Sequence, residues 1–456
     1  MSVKKFSTKL GVIAATAGSA VGLGTIWRFP AEVEENGGAA FLLVYVLCMF
    51  ALGIPVMLAE FSLGRGGRSD AVGVFHKLVP RSGWKYAGVL AVLSSYLILA
   101  FYMVVEGWTL EYLWESMSGG LYDGVDALDR NLSGRFHAKM QEYICSDLRP
   151  LLFTYGAIVI NFGVLAAGVQ KGIERLSNIM MPVLFGLLMI FVITAFGFED
   201  SLKGLEYFFT PDFSKITPEV ILSALGQTFF SLSLGMGILV TYGAYYPRDV
   251  NMPRTSLTVC GMVVLVAVMM GMIIFPAVAS FGLNLEEVRG TALVFVTMPE
   301  VFMQMPWPRF WSMLFFVLLL VAALTSTVSA AEVSIAFLED RFRMSRIKAV
   351  TVILAPLVVF SGVCALSFGS LGEIRIMGMN LFDFLDNLAT NVMLPIVSIA
   401  TCIFMGWFAP KGFFRNEVTN RGTICNHLYP TVRFIVRYIA PLLVLLIFIS
   451  GFIDFV

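Results

Sequence analysis

Eleven stretches of this chain are each long and apolar enough to cross a lipid bilayer, and that pattern constrains its fold more than any motif does. A crossing helix needs ~20 mostly apolar residues, because the hydrocarbon core is ~30 Å thick. The expected spans are 10–31, 40–63, 86–117, 150–168, 176–198, 219–245, 254–283, 308–340, 346–368, 378–408 and 431–454. In hydrocarbon each backbone N–H and C=O has to find its partner within the protein, so such spans are helices. Composition agrees: 14% of the 456 residues are charged, against roughly 25% in a soluble domain. The expected fold class is an all-α polytopic membrane protein. The connections are short except 118–149 and 199–218.

An odd number of spans puts the two termini on opposite sides. The loops on the N-terminal side carry 21 Lys and Arg, those on the other side carry 9, and Arg28 is left inside a span. Basic loops stay in the cytoplasm. The split therefore predicts a cytoplasmic N-terminus, an external C-terminus and an external 118–149 loop. Lys4, Lys5 and Lys9 precede the first apolar run as in a signal peptide. That run continues into Gly22, Gly24, Trp27, Arg28 and Pro30 without an obvious cleavage site, so it reads as a retained span. The six cysteines, Cys48, Cys145, Cys260, Cys364, Cys402 and Cys425, lie mostly in or beside apolar runs and suggest no disulfide framework. Nothing interleaves basic and aromatic residues as a nucleic-acid surface does.

Two spans carry paired glycines at mid-membrane. Span 1 holds Ala20-Val21-Gly22-Leu23-Gly24 and span 6 holds Ser233-Leu234-Gly235-Met236-Gly237. They lie five spans apart, so two such halves have inverted topology. Glycine-interrupted spans at matching positions point to a transporter binding site; the alternative is that the glycines only let helices pack closely. A helix that unwinds at its glycines exposes carbonyls that can hold Na⁺ and N–H groups that can hold a carboxylate. An amino acid zwitterion beside a hard cation needs both.

Other residues fit the same chemistry. Span 8 carries Ala322-Ala323-Leu324-Thr325-Ser326-Thr327, a row of neutral oxygens suited to a hard cation, unless these hydroxyls bond back to their own helix. Tyr102 in span 3 can donate to a carboxylate or be an ordinary helix-facing tyrosine. Arg28 and Asp386 lie in or at the ends of spans, where ionisable residues are functional suspects. Glu60, Glu106 and Glu332 share that suspicion, with structural pairing as the alternative.

The run Lys9-Leu10-Gly11 through Gly18-Ser19-Ala20-Val21-Gly22-Leu23-Gly24-Thr25-Ile26-Trp27-Arg28-Phe29-Pro30 resembles the first span of the neurotransmitter:sodium symporters. Glu35-Asn36-Gly37-Gly38-Ala39-Ala40-Phe41, Gly53-Ile54-Pro55, Gly226 to Gly235 and Ala336-Phe337-Leu338-Glu339-Asp340 continue the likeness, which runs from residue 6 to about 440. The resemblance implies a LeuT-like fold of 5+5 inverted repeats plus an eleventh helix. Residues 1–200 then hold spans 1–5, residues 201–410 hold spans 6–10, and 411–456 form a cytoplasmic loop and span 11.

The resemblance also implies residue roles. The second sodium site would use carbonyls of Gly18, Val21 and Ala322 with the hydroxyls of Thr325 and Ser326. The substrate carboxylate would meet Tyr102 and N–H groups near Leu23 and Gly24. Its amino group would meet carbonyls near Ala20, Phe230 and Ser231. Ile98, Ser19, Phe230, Ser233, Met236, Ser326 and Ala330 would line the side-chain pocket, with Phe230 as its lid. Arg28 and Asp386 would form an outer gate, and Asp340 an inner gate with Lys4 or Lys5. Gly172 and Pro182 resemble a motif at which span 5 unwinds.

Two departures from the family pattern set further expectations. The first sodium site, built on Ala20, Thr25 and Ser231, has Thr25 where the family has asparagine. Aligned on Phe275-Pro276-Ala277, span 7 offers Met262, Val263 and Val266 where the family places an amide and an acid or serine. The expected function is therefore sodium-coupled import of a neutral amino acid, large and apolar or aromatic, with one Na⁺, no chloride and no cofactor. The alternatives are proton coupling or exchange on the same fold, or a sensor that binds without transport. An enzyme is not expected, since His76, His137 and His427 all fall in loops.

Overall fold

The computed structural model describes residues 5–22, 24–126, 131–283, 293–424 and 427–455. Nine unbroken helices among them are long and apolar enough to span a bilayer. They are span 2 (Ala39–Gly67), span 3 (Lys85–Ser118), span 4 (Leu148–Ala166), span 5 (Val169–Ala195), span 7 (Met252–Phe281), span 8 (Pro308–Phe342), span 9 (Arg346–Leu366), span 10 (Leu381–Phe408) and span 11 (Tyr429–Ile453). Span 1 is two helices, Lys9–Ala20 and Gly24–Glu35, set at 55° to each other. Span 6 is also two, Pro218–Ser231 and Ile238–Tyr245.

Local chemistry sets the ends. Thr8, Thr217, Asn251 and Asn380 each cap a helix start by accepting a backbone N–H from Gly11, Val220, Arg254 and Asp383 respectively, which satisfies donors with no partner inside the helix. The two long connections hold amphipathic helices, Leu132–Cys145 and Ser201–Phe209, that the apolar-run pattern does not register. Span 5 starts at Val169, well before the expected 176, because residues 169–174 form a wide helical turn continuous with the rest. Gly172 lies inside that turn. The unwinding expected there is absent; the wider turn accommodates Gly172 without breaking the helix.

Spans 3 and 8 form the interior, packed along each other; span 4 packs on span 3, and the first half of the broken span 1 packs against spans 5, 7 and 8. Of the apolar stretch of span 8, 78% is buried, against 22% for span 11, so span 8 is core and span 11 faces lipid. Hydrocarbon offers no partner for a buried acid, and Glu106, Glu332 and Glu60 are each met by protein donors. Glu106 accepts Asn161 Nδ2 at 3.0 Å and the Thr327 hydroxyl at 2.8 Å, joining spans 3, 4 and 8. Glu332 pairs with Arg346 at 2.7 Å and accepts the Tyr245 hydroxyl at 2.7 Å. Arg346 Nε donates to the Leu165 carbonyl at 2.7 Å, so this cluster ties spans 4, 6, 8 and 9. Glu60 accepts the Gly235 N–H at 2.8 Å, across the break in span 6. The alternative of structural pairing holds for all three acids.

Removing one member of a buried ion pair strands the other. Arg346→Ala is expected to lower stability by about 3–5 kcal/mol, read as a drop in the detergent-solubilised melting temperature. A melting temperature unchanged from wild type contradicts this account of the cluster.

Candidate functional site

Where span 1 breaks, the Thr25 N–H bonds the Gly22 carbonyl at 3.1 Å rather than the Val21 carbonyl, its partner in a continuous helix. In span 6 the Gly235 N–H goes to Glu60, so the Ser231 carbonyl loses its helical donor. Gly235 has φ +77°, and a Cβ there would lie 2.5 Å from the Leu394 carbonyl oxygen, so only glycine fits this turn. The two breaks touch: the Ser233 hydroxyl donates to the Ser19 carbonyl at 2.9 Å.

Between the breaks lies a central cavity lined by Ser19, Ala20, Gly22, Gly24, Ile98, Tyr102, Phe230, Ser231, Ser233, Met236, Ile238, Ser326 and Ala330. Every residue expected around the substrate is in that lining except Leu23, which lies outside the described residues. Among the described residues no charged side chain lines it. It measures about 20 Å³, room for about one water. Above it opens a vestibule of about 580 Å³. Tyr102 and Phe230 line both spaces, so these two rings divide them. His137, which sequence alone leaves in a loop, reaches this vestibule from helix Leu132–Cys145 together with Met140, Gln141 and Ile144.

Spans 1 and 8, which carry the oxygens expected to hold a cation, meet beside the cavity. A Cβ on Gly18 would lie 3.3 Å from Thr325 Cβ, so spans 1 and 8 are in direct contact there. The Ser326 hydroxyl faces Gly22 and is buried without a hydrogen-bond partner. Thr325 bonds back to the Ala322 carbonyl at 3.0 Å, the alternative considered for these hydroxyls. The group around Ala20, Thr25 and Ser231 is arranged differently. Thr25 donates to the Ala20 carbonyl at 3.4 Å, and Gln227 Nε2 donates to the Gly24 carbonyl at 3.0 Å and to the Ser231 hydroxyl at 3.1 Å. Because the Gly24 carbonyl only accepts, the Gln227 amide has to turn its NH₂ inward. Gln227 is absent from the expected site residues; its signal is an amide one turn before Ser231 in an apolar helix. Val263 and Val266 are fully buried and, like Met262, bring no oxygen.

The gate residues are only partly brought together. Arg28 and Asp386 line one vestibule, yet Arg28 pairs with Glu32 at 3.3 Å and Asp386 accepts from Thr390 at 2.9 Å. Arg28 and Asp386 are not paired with each other; each has a partner one turn along its own helix. Arg28 also lies over the Phe230 ring at 4.9 Å, which couples it to the lid. Asp340 accepts the Asp70 N–H at 3.0 Å. Lys4 lies outside the described residues, and Lys5 makes no ion pair with Asp340 among them. Phe6 is what closes this side: its N–H bonds the Tyr245 carbonyl at 3.1 Å and its ring sits 5.5 Å from Tyr242.

Fold and site together define an integral membrane protein with a neutral solute pocket between two interrupted helices. The chain belongs to the sodium:neurotransmitter symporter family, whose sequence model matches residues 3–123 and 150–456. It is similar to two uncharacterized sodium-dependent transporters. One, YhdH of Bacillus subtilis, is 35% identical over 98% of this chain and 97% of its own length. The other, from Haemophilus influenzae, is 33% identical over the same shares. Among solved structures, MhsT in complex with L-phenylalanine is 38% identical, with a TM-score of 0.88 over 98% of this chain and 99% of that one. The chain therefore has the LeuT-like fold and is a sodium-dependent transporter by family.

Ser326→Ala removes a hydroxyl that serves no bond within the protein. Stability in Na⁺-free buffer should stay within about 0.5 kcal/mol of wild type. The Na⁺ concentration giving half-maximal thermal stabilisation should rise about tenfold or more, the worth of one contact to a charge. A variant with unchanged Na⁺ dependence removes Ser326 from the ion site.

Proposed function

We propose that this protein imports a large apolar or aromatic L-amino acid together with one Na⁺ by alternating access, acting as a carrier rather than an enzyme or a sensor. The observation that carries the reading is the central cavity: backbone groups of two interrupted helices, one phenol and otherwise neutral side chains. Freed N–H and C=O groups suit the two ends of a zwitterion. A charged side chain would enter this lining without a counter-charge, at a cost no pocket of this kind offsets. Ala330 leaves space, and Met236 can change rotamer at low cost. The cavity is far smaller than an amino acid, so binding has to move Phe230 and Met236. Phe230 is the divider from the vestibule and thus the natural lid. The phenylalanine-bound MhsT adds support for this substrate class.

Gly18, Val21, Ala322, Thr325 and Ser326 are read as the single Na⁺ site. A cation between Ala20, Thr25 and Ser231 has to displace amide protons of Gln227, which repel it. On the charge split the N-terminus is cytoplasmic, and bacterial relatives favour a bacterial cell membrane. Na⁺ entry then supplies ~2.3 kcal/mol per 100 mV for each charge moved.

The deciding experiment is thermal stabilisation of the purified protein by each amino acid, with Na⁺ or with choline. Leu, Met, Phe, Tyr and Trp should stabilise in Na⁺ and lose most of the effect in choline. Glycine or glutamate ranking above them contradicts the substrate class, and equal effects in choline contradict sodium coupling. In proteoliposomes the Hill coefficient for Na⁺ should be near one; a value near two contradicts the single site.

A further inference from the structure

A wide cavity that shares no lining residue with the central pocket lies where span 10 ends and span 11 begins. It measures about 1290 Å³. Lys411, Arg415, Arg433 and Arg437 line it, and its lining holds no Asp or Glu. None of these four cations is in an ion pair among the described residues, whereas Arg65, Arg149 and Arg346 each sit on a carboxylate. Arg437 is held in place: its guanidinium stacks on the Trp407 ring at 3.7 Å, and Trp407 Nε1 donates to the Arg437 carbonyl at 3.1 Å. The Nε of Arg437 is nonetheless buried without a hydrogen-bond partner. A fixed guanidinium with an unused buried donor, beside three unpaired cations, is a site for an anion.

The position of the cavity says which anion. Basic loops place this face in the cytoplasm, and Trp407 and Tyr438 are aromatic residues of the kind that sit at headgroup depth. Phe434, Tyr438, Leu442 and Leu445 are exposed and recur at helical spacing along one face of span 11, leading from the cavity toward the bilayer centre. A ligand with phosphate at one end and hydrocarbon at the other matches both parts. Basic pockets between helices on the cytoplasmic side are where acidic lipids bind. We propose that this cavity holds the phosphate of an anionic phospholipid, with its acyl chains along the exposed face of span 11.

The test is native mass spectrometry of the full chain, released from micelles containing phosphatidylglycerol or phosphatidylcholine. Phosphatidylglycerol should stay bound where phosphatidylcholine is lost, and millimolar inorganic phosphate should not displace it. Lys411→Gln with Arg433→Gln, both on exposed side chains, should weaken retention roughly fivefold per side chain. Unchanged Na⁺-dependent amino acid stabilisation checks that the variant is folded. Equal retention of the two lipids, retention unaffected by the double variant, or displacement by inorganic phosphate (a site for a soluble anion) would each overturn the proposal.

Discussion

A helix that stops halfway through a membrane leaves backbone groups that hydrocarbon cannot satisfy, and the architecture of this protein is organised around answering that demand. Two spans stop, after Ala20 and after Ser231, and groups freed at the two breaks meet. Glu60 takes the Gly235 N–H and the Ser233 hydroxyl takes the Ser19 carbonyl. What remains free faces a cavity in which no described residue brings a charged side chain. The same shortage of partners that makes an interrupted helix costly in lipid makes it a strong ligand for a zwitterion or a cation.

The scaffold keeps the breaks in place. Spans 3 and 8 are continuous, buried and joined through Glu106, Asn161 and Thr327, so the rigid wall stands directly behind the proposed ion oxygens on span 8. The second half of span 6, Ile238–Tyr245, is tied by Tyr245 to Glu332 and Arg346, and the N-terminal segment is laid against it through Phe6. On the other face the vestibule runs down to Phe230. The face toward Phe6 is therefore closed by many contacts and the vestibule face by one ring with Arg28 above it.

Much of this was legible in the sequence because membrane physics writes it in bulk. Runs of ~20 apolar residues give the spans, and the paired glycines give the breaks. Ser19 and Phe230 lie in long motifs, and Tyr102 and Ser326 stood out as polar residues in apolar spans. What the sequence hid was competition between partners. Arg28 has two acids available and the structure pairs it with Glu32, one turn away, over Asp386 in a distant span. Gln227 looked like part of a motif; its fixed amide orientation appears only when Gly24 and Ser231 are seen beside it. Span 5 was expected to unwind at Gly172, yet a wide turn keeps it helical. Helix Leu132–Cys145 was missed because its periodicity is amphipathic rather than apolar, and with it His137 in the vestibule.

The most direct measurement is a density map of the protein with Na⁺ and a bound amino acid. The account predicts helices interrupted at both breaks, a zwitterion between them beneath Phe230, and one ion among Gly18, Val21, Ala322, Thr325 and Ser326. Two continuous helices with no ligand between them would contradict it.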